Sequence, residues 1–210
     1  MSPPLPPGSD VTAGETPIVN FVGELVALGP VRRDLLATYQ RWINDFTAAR
    51  NLGLPPRPVS LEAETAWFDG VATSADTTFT IYERASRRPI GTTGLNGIDY
   101  RNRTAEFGIL IGEEDARGRG FGTETTSLML DYAFTVLGLH NVMLRVHAYN
   151  LAGLRTYQKA GYREFGRRRE AVWMGGRFWD IVYMECLASE FTSPVLRRIF
   201  SPDEPRSCTG

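Results

Sequence analysis

A chain of 210 residues with a formal net charge of −1 is long enough for one domain with a buried core, and its charge balance indicates no general affinity for nucleic acid. Two histidines and two cysteines are too few for a typical zinc site or a disulfide framework. The sequence shows no apolar run near the roughly 18 residues that span a bilayer, and no signal-peptide pattern. We therefore expect a cytoplasmic protein without a metal, a nucleic-acid partner or a membrane segment.

Composition also divides the chain. Residues 1–17 are rich in proline and have little to bury, which predicts a disordered arm. Residues 191–210 are predicted to be a C-terminal tail. Between them, residues 18–190 show no internal repeat and no linker, so we expect one domain there.

Strand and helix patterns alternate along this predicted domain. The predicted strands are Phe21–Leu28, Phe79–Arg84, Ile90–Ile98, Thr104–Ile111, Asn141–His147, Tyr162–Glu170 and Phe178–Leu187. The predicted helices are Arg32–Phe46, Leu61–Val71, Thr123–Leu137 and Leu151–Ala160. This order predicts an α/β (α+β) fold with a mixed sheet of about seven strands and helices packed on it.

A glycine-rich turn, residues 117–123, joins a predicted strand to a predicted helix. Its sequence is Arg117, Gly118, Arg119, Gly120, Phe121, Gly122 and Thr123. Free backbone N–H groups and the helix dipole favour an anion at such a turn, and glycines let the backbone approach a ligand closely. The two arginine side chains could add charge-assisted hydrogen bonds. The turn therefore predicts a phosphate site.

Two common phosphate-binding motifs do not fit this turn. A Walker loop needs a Lys-Ser/Thr pair after the last glycine, where this chain has Thr123. A dinucleotide-binding fold places its glycine turn after the first strand, whereas several predicted strands come first here. The phosphate must belong to another kind of ligand.

A second motif lies downstream of the turn, with Asn150, Tyr157 and the pair Gly161-Tyr162. Together with the Arg-x-x-Gly-x-Gly pattern at 117–122, it resembles the GNAT superfamily of acetyl-CoA-dependent N-acetyltransferases. The resemblance is greatest to the branch of ribosomal-protein N-terminal acetyltransferases and spermidine N-acetyltransferases, and it covers roughly residues 19–187. Three further segments support that branch: Ala105–Phe107, Asp131–Phe134 and Gly175–Asp180.

The resemblance implies a single GNAT-like domain, with a mostly antiparallel sheet, a splayed central strand pair and helices on both faces. It implies acetyl-CoA as co-substrate, with its pyrophosphate on the amides of residues 117–123. The pantetheine arm would pair with Ile109, Leu110 and Ile111, and Asn150 would hydrogen-bond it. Tyr157 would line the same site.

Acetyl transfer needs a proton acceptor for the amine, a donor for the oxyanion and a proton for the departing thiolate. By resemblance, Tyr157 is the general acid and a backbone N–H near Ile111 is the oxyanion donor. Glu106, on the strand that leads into the site, is our first candidate for the base, and Glu113 is the second. Attack is expected to be direct, in a ternary complex.

The acceptor is expected to be a small amine, an amino sugar or a peptide α-amine. Trp42, Trp67 and Glu106 are candidate acceptor-binding residues, whereas Phe46 is expected in the core. Carboxylates that could line the cleft for a cationic amine are Asp45, Glu62, Glu64, Asp69 and Glu106. The alternatives are a non-catalytic coenzyme A-binding module and an enzyme that uses another acyl-CoA, such as succinyl-CoA. A homodimer is compatible with the resemblance.

One departure from the family pattern is the acidic run Glu113-Glu114-Asp115 just before the glycine turn. Carboxylates beside a phosphate site are unfavourable unless their side chains point away. The sequence therefore leaves the geometry of this loop open.

Overall fold

The computed structural model of the protein describes residues 16–53 and 57–203. Its strands are β1 (Phe21–Val22), β2 (Val26–Pro30), β3 (Thr77–Glu83), β4 (Pro89–Asp99), β5 (Thr104–Ile111), β6 (Asn141–His147), β7 (Arg163–Met174) and β8 (Arg177–Leu187). Its α-helices are α1 (Leu36–Asn44), α2 (Phe46–Ala49), α3 (Leu61–Thr73), α4 (Phe121–Asp131) and α5 (Leu151–Lys159). No helix in the described ranges is long and apolar enough to cross a bilayer.

The strands form one sheet in the order β1-β2-β3-β4-β5-β6-β8-β7. Every neighbouring pair is antiparallel except β5 and β6, which are parallel. The predicted mixed, mostly antiparallel sheet is confirmed. The arm predicted at residues 1–17 lies almost wholly outside the described residues, and the predicted domain boundaries stay predictions.

The first predicted strand is two strands, so the described part of the sheet has eight strands where about seven were expected. β1 and β2 form a tight hairpin in which Phe21 faces Leu28, and the Gly23 N–H donates to the Val26 carbonyl at 2.8 Å. The Glu124 carboxylate, from the first turn of α4, accepts hydrogen bonds from the backbone N–H groups of residues 24, 25 and 26 at 2.6–2.7 Å. A partner almost 100 residues away therefore holds the turn that divides this strand.

Glu124→Ala should lower the free energy of unfolding by about 1–3 kcal/mol, because it leaves three backbone donors of the hairpin turn without their charged acceptor. Urea denaturation followed by circular dichroism measures this change. Glu114→Ala, at an exposed carboxylate of the same region, is the control. Equal stability of the two variants would contradict the role assigned to Glu124.

The helix predicted at Arg32–Phe46 is interrupted. After a short 3₁₀ turn, α1 ends at Asn44, and Asp45 is extended, with φ −74° and ψ 96°. The Asp45 side chain then caps α2 by accepting from the Thr47 N–H at 2.9 Å. This break turns Phe46 outward, where it is 48% exposed, so its predicted place in the core is wrong.

The long helix predicted at Thr123–Leu137 begins two residues earlier and changes its pitch. α4 continues from Asp131 into a π-helical turn, Tyr132–Val136, and Gly138 follows with φ +65°. The buried Asp131 carboxylate accepts from the N–H groups of Val195 and Leu196 at 2.9 and 2.8 Å. The first part of the predicted C-terminal tail is therefore packed against this helix.

Helices cover both faces of the sheet, as predicted. On one face Tyr39 and Trp42 of α1 and Phe68 of α3 form a small apolar cluster against Leu110 of β5. On the other face α4, together with Leu154 and Tyr157 of α5, packs in the main core, which takes in Ile109 and Ile111. Because side chains alternate along a strand, β5 contributes to both clusters.

The central strands separate, as the resemblance implied. β5 and β6 pair at only three positions, from Thr104↔Asn141 to Glu106↔Met143. Beyond them, residues 107–111 pair only with β4, and residues 144–147 pair only with β8. Among the described strands, one edge of β5 is thus left without a partner, and a cleft opens between β5 and β6.

Candidate active site

A cavity of about 420 Å³, here named the donor cleft, lies along residues 109–111 of β5, beyond the last β5–β6 pair, and brings both sequence motifs together. The predicted donor-site residues on its wall are Ile109, Leu110, Ile111, Arg117, Gly118, Gly120, Gly122, Thr123, Asn150 and Tyr157. The predicted residues Arg119 and Phe121 do not line it, and Phe121 is buried in the core. Their side chains are therefore outside the cleft, and their predicted contribution to the donor site through backbone N–H groups stays a prediction.

The glycine turn leads directly into the N-terminus of α4. Gly118 and Gly120 have φ values of +74° and +89°, a left-handed conformation that side chains disfavour. Gly120 is the N-cap residue, and no side chain in the described part of the chain caps the helix. The first N–H groups of α4 are therefore donors without a side-chain partner at the positive end of the helix dipole, which suits a phosphate.

Both arginines of the turn are engaged within the protein. The Arg117 guanidinium donates to the Asp45 carboxylate at 3.0 Å and to the carbonyls of residues 111 and 112 at 3.2 and 2.9 Å. The Arg119 guanidinium donates to Glu83 at 3.3 Å and lies over the Phe121 ring. Both guanidinium groups are thus occupied within the protein, and the phosphate contacts of the turn stay a prediction.

The acidic run before the turn points away from the cleft. The Glu113 carboxylate accepts from the Arg41 guanidinium and from Trp42 Nε1, and Arg88 pairs with Asp115 at 2.7 Å. These arginines lower the pKa values of both carboxyl groups. Since a lowered pKa makes a weaker base and Glu113 does not line the cleft, Glu113 is poorly suited as the general base.

Tyr157 presents an unpartnered hydroxyl at the cleft. Its ring packs edge-on against Phe107 and Tyr162, with centroids 6.2 and 6.1 Å away. Burial raises the pKa of Tyr157 to about 12, and no hydrogen bond to its hydroxyl occurs within residues 16–53 and 57–203. The phenol is therefore protonated at neutral pH and available as a donor.

Asn150 fixes the start of α5. Its Oδ1 accepts from the Gly153 N–H at 2.9 Å and so caps the helix that carries Tyr157. This bond occupies the oxygen of the amide and leaves its NH₂ group as the donor for a ligand in the cleft.

A second cavity, of about 440 Å³, lies between the sheet and helices α1 and α3. It shares Ile109 and Leu110 with the donor cleft. Trp42 and Trp67, which were predicted to bind the acceptor amine, both line this second cavity. Trp42 is only 1% exposed and donates Nε1–H to Glu113 at 2.9 Å, so it is also a core residue. Trp67 is 37% exposed and stands edge-on to Tyr39.

A third cavity, of about 480 Å³, lies at the strand separation, where residues of both β5 and β6 line it. Glu106 and Tyr157 both line it, but the Glu106 carboxylate accepts from Arg145 Nε at 2.7 Å. Nearby, His147 Nδ1 and the Tyr149 hydroxyl are 2.7 Å apart, and that hydroxyl donates to the Arg50 carbonyl. Glu106 stays a prediction as the base, and its carboxylate is paired with Arg145 in this structure.

Most of the carboxylates expected around the acceptor are paired with arginines. Asp69 pairs with Arg33, Asp45 with Arg117 and Glu106 with Arg145. Glu62 is exposed. In the described ranges no three His, Cys, Asp or Glu side chains form a group that could hold a metal ion.

Glu64 is the exception among these acidic residues. It is 7% exposed and lines the second cavity, yet no described residue pairs with its carboxylate. Burial raises the pKa of its carboxyl group. One pattern in the sequence indicates that Glu64 is buried. Glu64 lies four residues before Phe68, so both side chains face inward from α3.

Glu64→Gln should raise the thermal unfolding temperature at neutral pH. A carboxyl whose pKa is higher in the folded state destabilises the fold as the pH rises, because the unfolded chain ionises first. The gain in unfolding temperature should be absent at a pH below the ordinary carboxyl pKa and should grow as the pH rises above it. Thermal scans across pH measure it, with the exposed Glu62→Gln as control. A loss of stability at neutral pH would contradict the unpaired state of Glu64.

Residues 26–163 match the family model described as an acetyltransferase (GNAT) domain. The chain belongs to the GNAT acetyltransferase family. It is 35% identical over 111 residues to a Vibrio cholerae spermidine N(1)-acetyltransferase, a match that covers 53% of this chain and 64% of that protein. An Escherichia coli spermidine N(1)-acetyltransferase is 25% identical over 159 residues, 76% of this chain and 84% of its own length.

The fold agrees with that of a solved relative. The structure of the Vibrio cholerae spermidine N-acetyltransferase in complex with CoA and spermine has a TM-score of 0.73 and 27% sequence identity to this chain. That match covers 80% of this chain and 98% of the other. The predicted GNAT fold and the likeness to the spermidine N-acetyltransferase branch are confirmed.

Proposed function

We propose that this chain transfers an acetyl group from acetyl-CoA to a primary amine. The observation that carries the proposal is the cleft at the β5–β6 separation. There the uncapped N-terminus of α4, the unpaired edge of β5 and the unpartnered hydroxyl of Tyr157 line one cavity. Membership of the GNAT family and the CoA-bound relative support the same donor.

The donor is proposed to lie along β5. Its pyrophosphate meets the N–H groups at the start of α4, where the helix dipole favours negative charge. Residues 109–111 have no partner on the β6 side among the described strands, so backbone groups on this edge, other than the Ile111 carbonyl that accepts from Arg117, can pair with the amides of the pantetheine arm. The Asn150 NH₂ group supplies one further donor.

The reaction is proposed as direct attack of the amine on the thioester. A backbone N–H near Ile111 stabilises the oxyanion, and Tyr157 protonates the departing thiolate. Cys186 is 1% exposed and burial raises its pKa to about 11, so it is a poor acyl carrier. Cys208 lies outside the described residues. Glu106 or solvent takes the amine proton.

The acceptor is proposed to enter from the α1–α3 face. The second cavity lies there and meets the donor cleft at Ile109 and Leu110. The solved relative that holds spermine supports a small amine. An amino sugar and a peptide α-amine belong in the test, and association of two copies stays a prediction.

The test measures release of the CoA thiol from acetyl-CoA and from succinyl-CoA with a panel of small amines, amino sugars and peptides. We expect acetyl-CoA with a small amine to give the highest kcat/KM. Calorimetry measures coenzyme A binding in parallel. Coenzyme A binding without turnover on any amine would support the non-catalytic alternative. A preference for succinyl-CoA would show that the transferred group is succinyl and not acetyl.

A further inference from the structure

The Glu64 carboxylate is an unusual feature of the second cavity, through which the acceptor is proposed to enter. A buried charged group without a partner costs several kcal/mol, so proteins seldom keep one without a use. Glu64 is 7% exposed, and no described residue hydrogen-bonds or pairs with its carboxylate. The carboxylate oxygens are not fully buried, and they remain accessible from the cavity that Glu64 lines. The carboxylate is therefore available to a ligand.

The surroundings of Glu64 suit an alkylammonium ion. Tyr39, Trp42 and Trp67 line the same cavity. The Tyr39 ring centroid lies 5.7 Å from that of Trp42 and 5.8 Å from that of Trp67. Aromatic faces attract cations, and a carboxylate adds a charged hydrogen-bond acceptor. Arg57 also lines the cavity but is exposed and forms no ion pair with Glu64.

The reacting nitrogen is a poor occupant of this position. A carboxylate beside an ammonium group stabilises the charged form and raises the amine pKa, which opposes the deprotonation that attack requires. The acetyl donor reaches this cavity at the shared residues Ile109 and Leu110 of β5, whereas Glu64 stands on α3. A group that stays charged during the reaction fits Glu64 better.

We infer that Glu64 and the aromatic side chains around it bind a second, non-reacting ammonium group of the acceptor, so that the preferred acceptor is a diamine. This inference rests on the proposed acetyl transfer and adds a specificity-determining residue to it. Binding of the second ammonium group gives the buried carboxylate its missing partner and directs the free amine toward β5.

The experiment compares putrescine, a diamine, with butylamine, which has the same chain length and one nitrogen. The wild-type protein should acetylate putrescine with a higher kcat/KM than butylamine. Glu64→Gln should reduce this preference about 10- to 100-fold, the size expected for losing a hydrogen bond to a charged group. The loss should appear in the KM for putrescine, while the KM for acetyl-CoA stays constant.

Glu62→Gln is the matched control, since Glu62 is exposed on the same helix and does not line the cavity. It should keep the wild-type preference. An unchanged putrescine preference in Glu64→Gln, or a wild-type protein that prefers butylamine, would overturn the inference.

Direct binding separates this inference from the proposed reaction. Putrescine binding to the wild-type protein and to Glu64→Gln, each saturated with coenzyme A, can be followed by tryptophan fluorescence. Weaker binding to the variant supports the ammonium subsite even where no turnover is found, and the proposed reaction alone then fails. Equal affinities would refute the subsite whatever the turnover.

Discussion

Tyr157→Phe should lower kcat by about 100- to 10,000-fold, the usual contribution of a positioned general acid. The phenol is the donor proposed for the departing thiolate, and its pKa of about 12 keeps it protonated at neutral pH. No described residue hydrogen-bonds the hydroxyl, so its removal leaves no protein group unsatisfied. Acetyl-CoA affinity, measured by calorimetry, should change little, because the ring and its contacts with Phe107 and Tyr162 remain.

Tyr162→Phe is a matched control for this substitution. Tyr162 packs against Tyr157, and its own hydroxyl is buried with no hydrogen-bond partner among the described residues. Loss of that hydroxyl should leave kcat unchanged and the fold at least as stable. Equal turnover of Tyr157→Phe and the wild-type protein would remove Tyr157 from the mechanism.

Gly122→Leu should weaken acetyl-CoA binding by about 10- to 100-fold. A Cβ at this position would be in ordinary contact with Thr156 and Ile111, at 3.7 and 3.9 Å, so the backbone tolerates a side chain. A longer side chain would enter the donor cleft that Gly122 lines. Overpacking costs about 1–3 kcal/mol, and each 1.4 kcal/mol is about tenfold in affinity. Titration calorimetry with acetyl-CoA measures the change.

The fold should tolerate this substitution, since leucine is a better helix former than glycine by about 1 kcal/mol. Gly70→Leu provides the control, because Gly70 is an exposed glycine of helix α3 with open space around its Cα. Its acetyl-CoA affinity should match that of the wild-type protein. Full affinity in Gly122→Leu would place the donor elsewhere.

The local parts of the site could be predicted from the sequence. The glycine turn and the capping asparagine act through neighbours a few residues away, so their spacing carries the information. Tyr157 and Gly122 accordingly lie on one cleft wall, as predicted. The strand predicted at Thr104–Ile111, before the glycine turn, likewise agrees with β5 to the residue.

Features that depend on distant partners could not be predicted. The Arg117 side chain binds Asp45, 72 residues earlier, and is thereby used within the protein. Glu124 holds a turn nearly 100 residues away and divides the first strand in two. The burial of Glu64 without a partner among the described residues depends on how α3 packs against the rest of the fold, and no local pattern contains that information.

The central claim is that an acetyl group passes from acetyl-CoA to a small amine at the β5–β6 cleft. The most direct measurement is mass spectrometry of the products formed from acetyl-CoA with an isotopically labelled acetyl group and putrescine. We expect the label on one nitrogen of the diamine, with formation lost in Tyr157→Phe. Label found only in intact acetyl-CoA or in free acetate would contradict the claim.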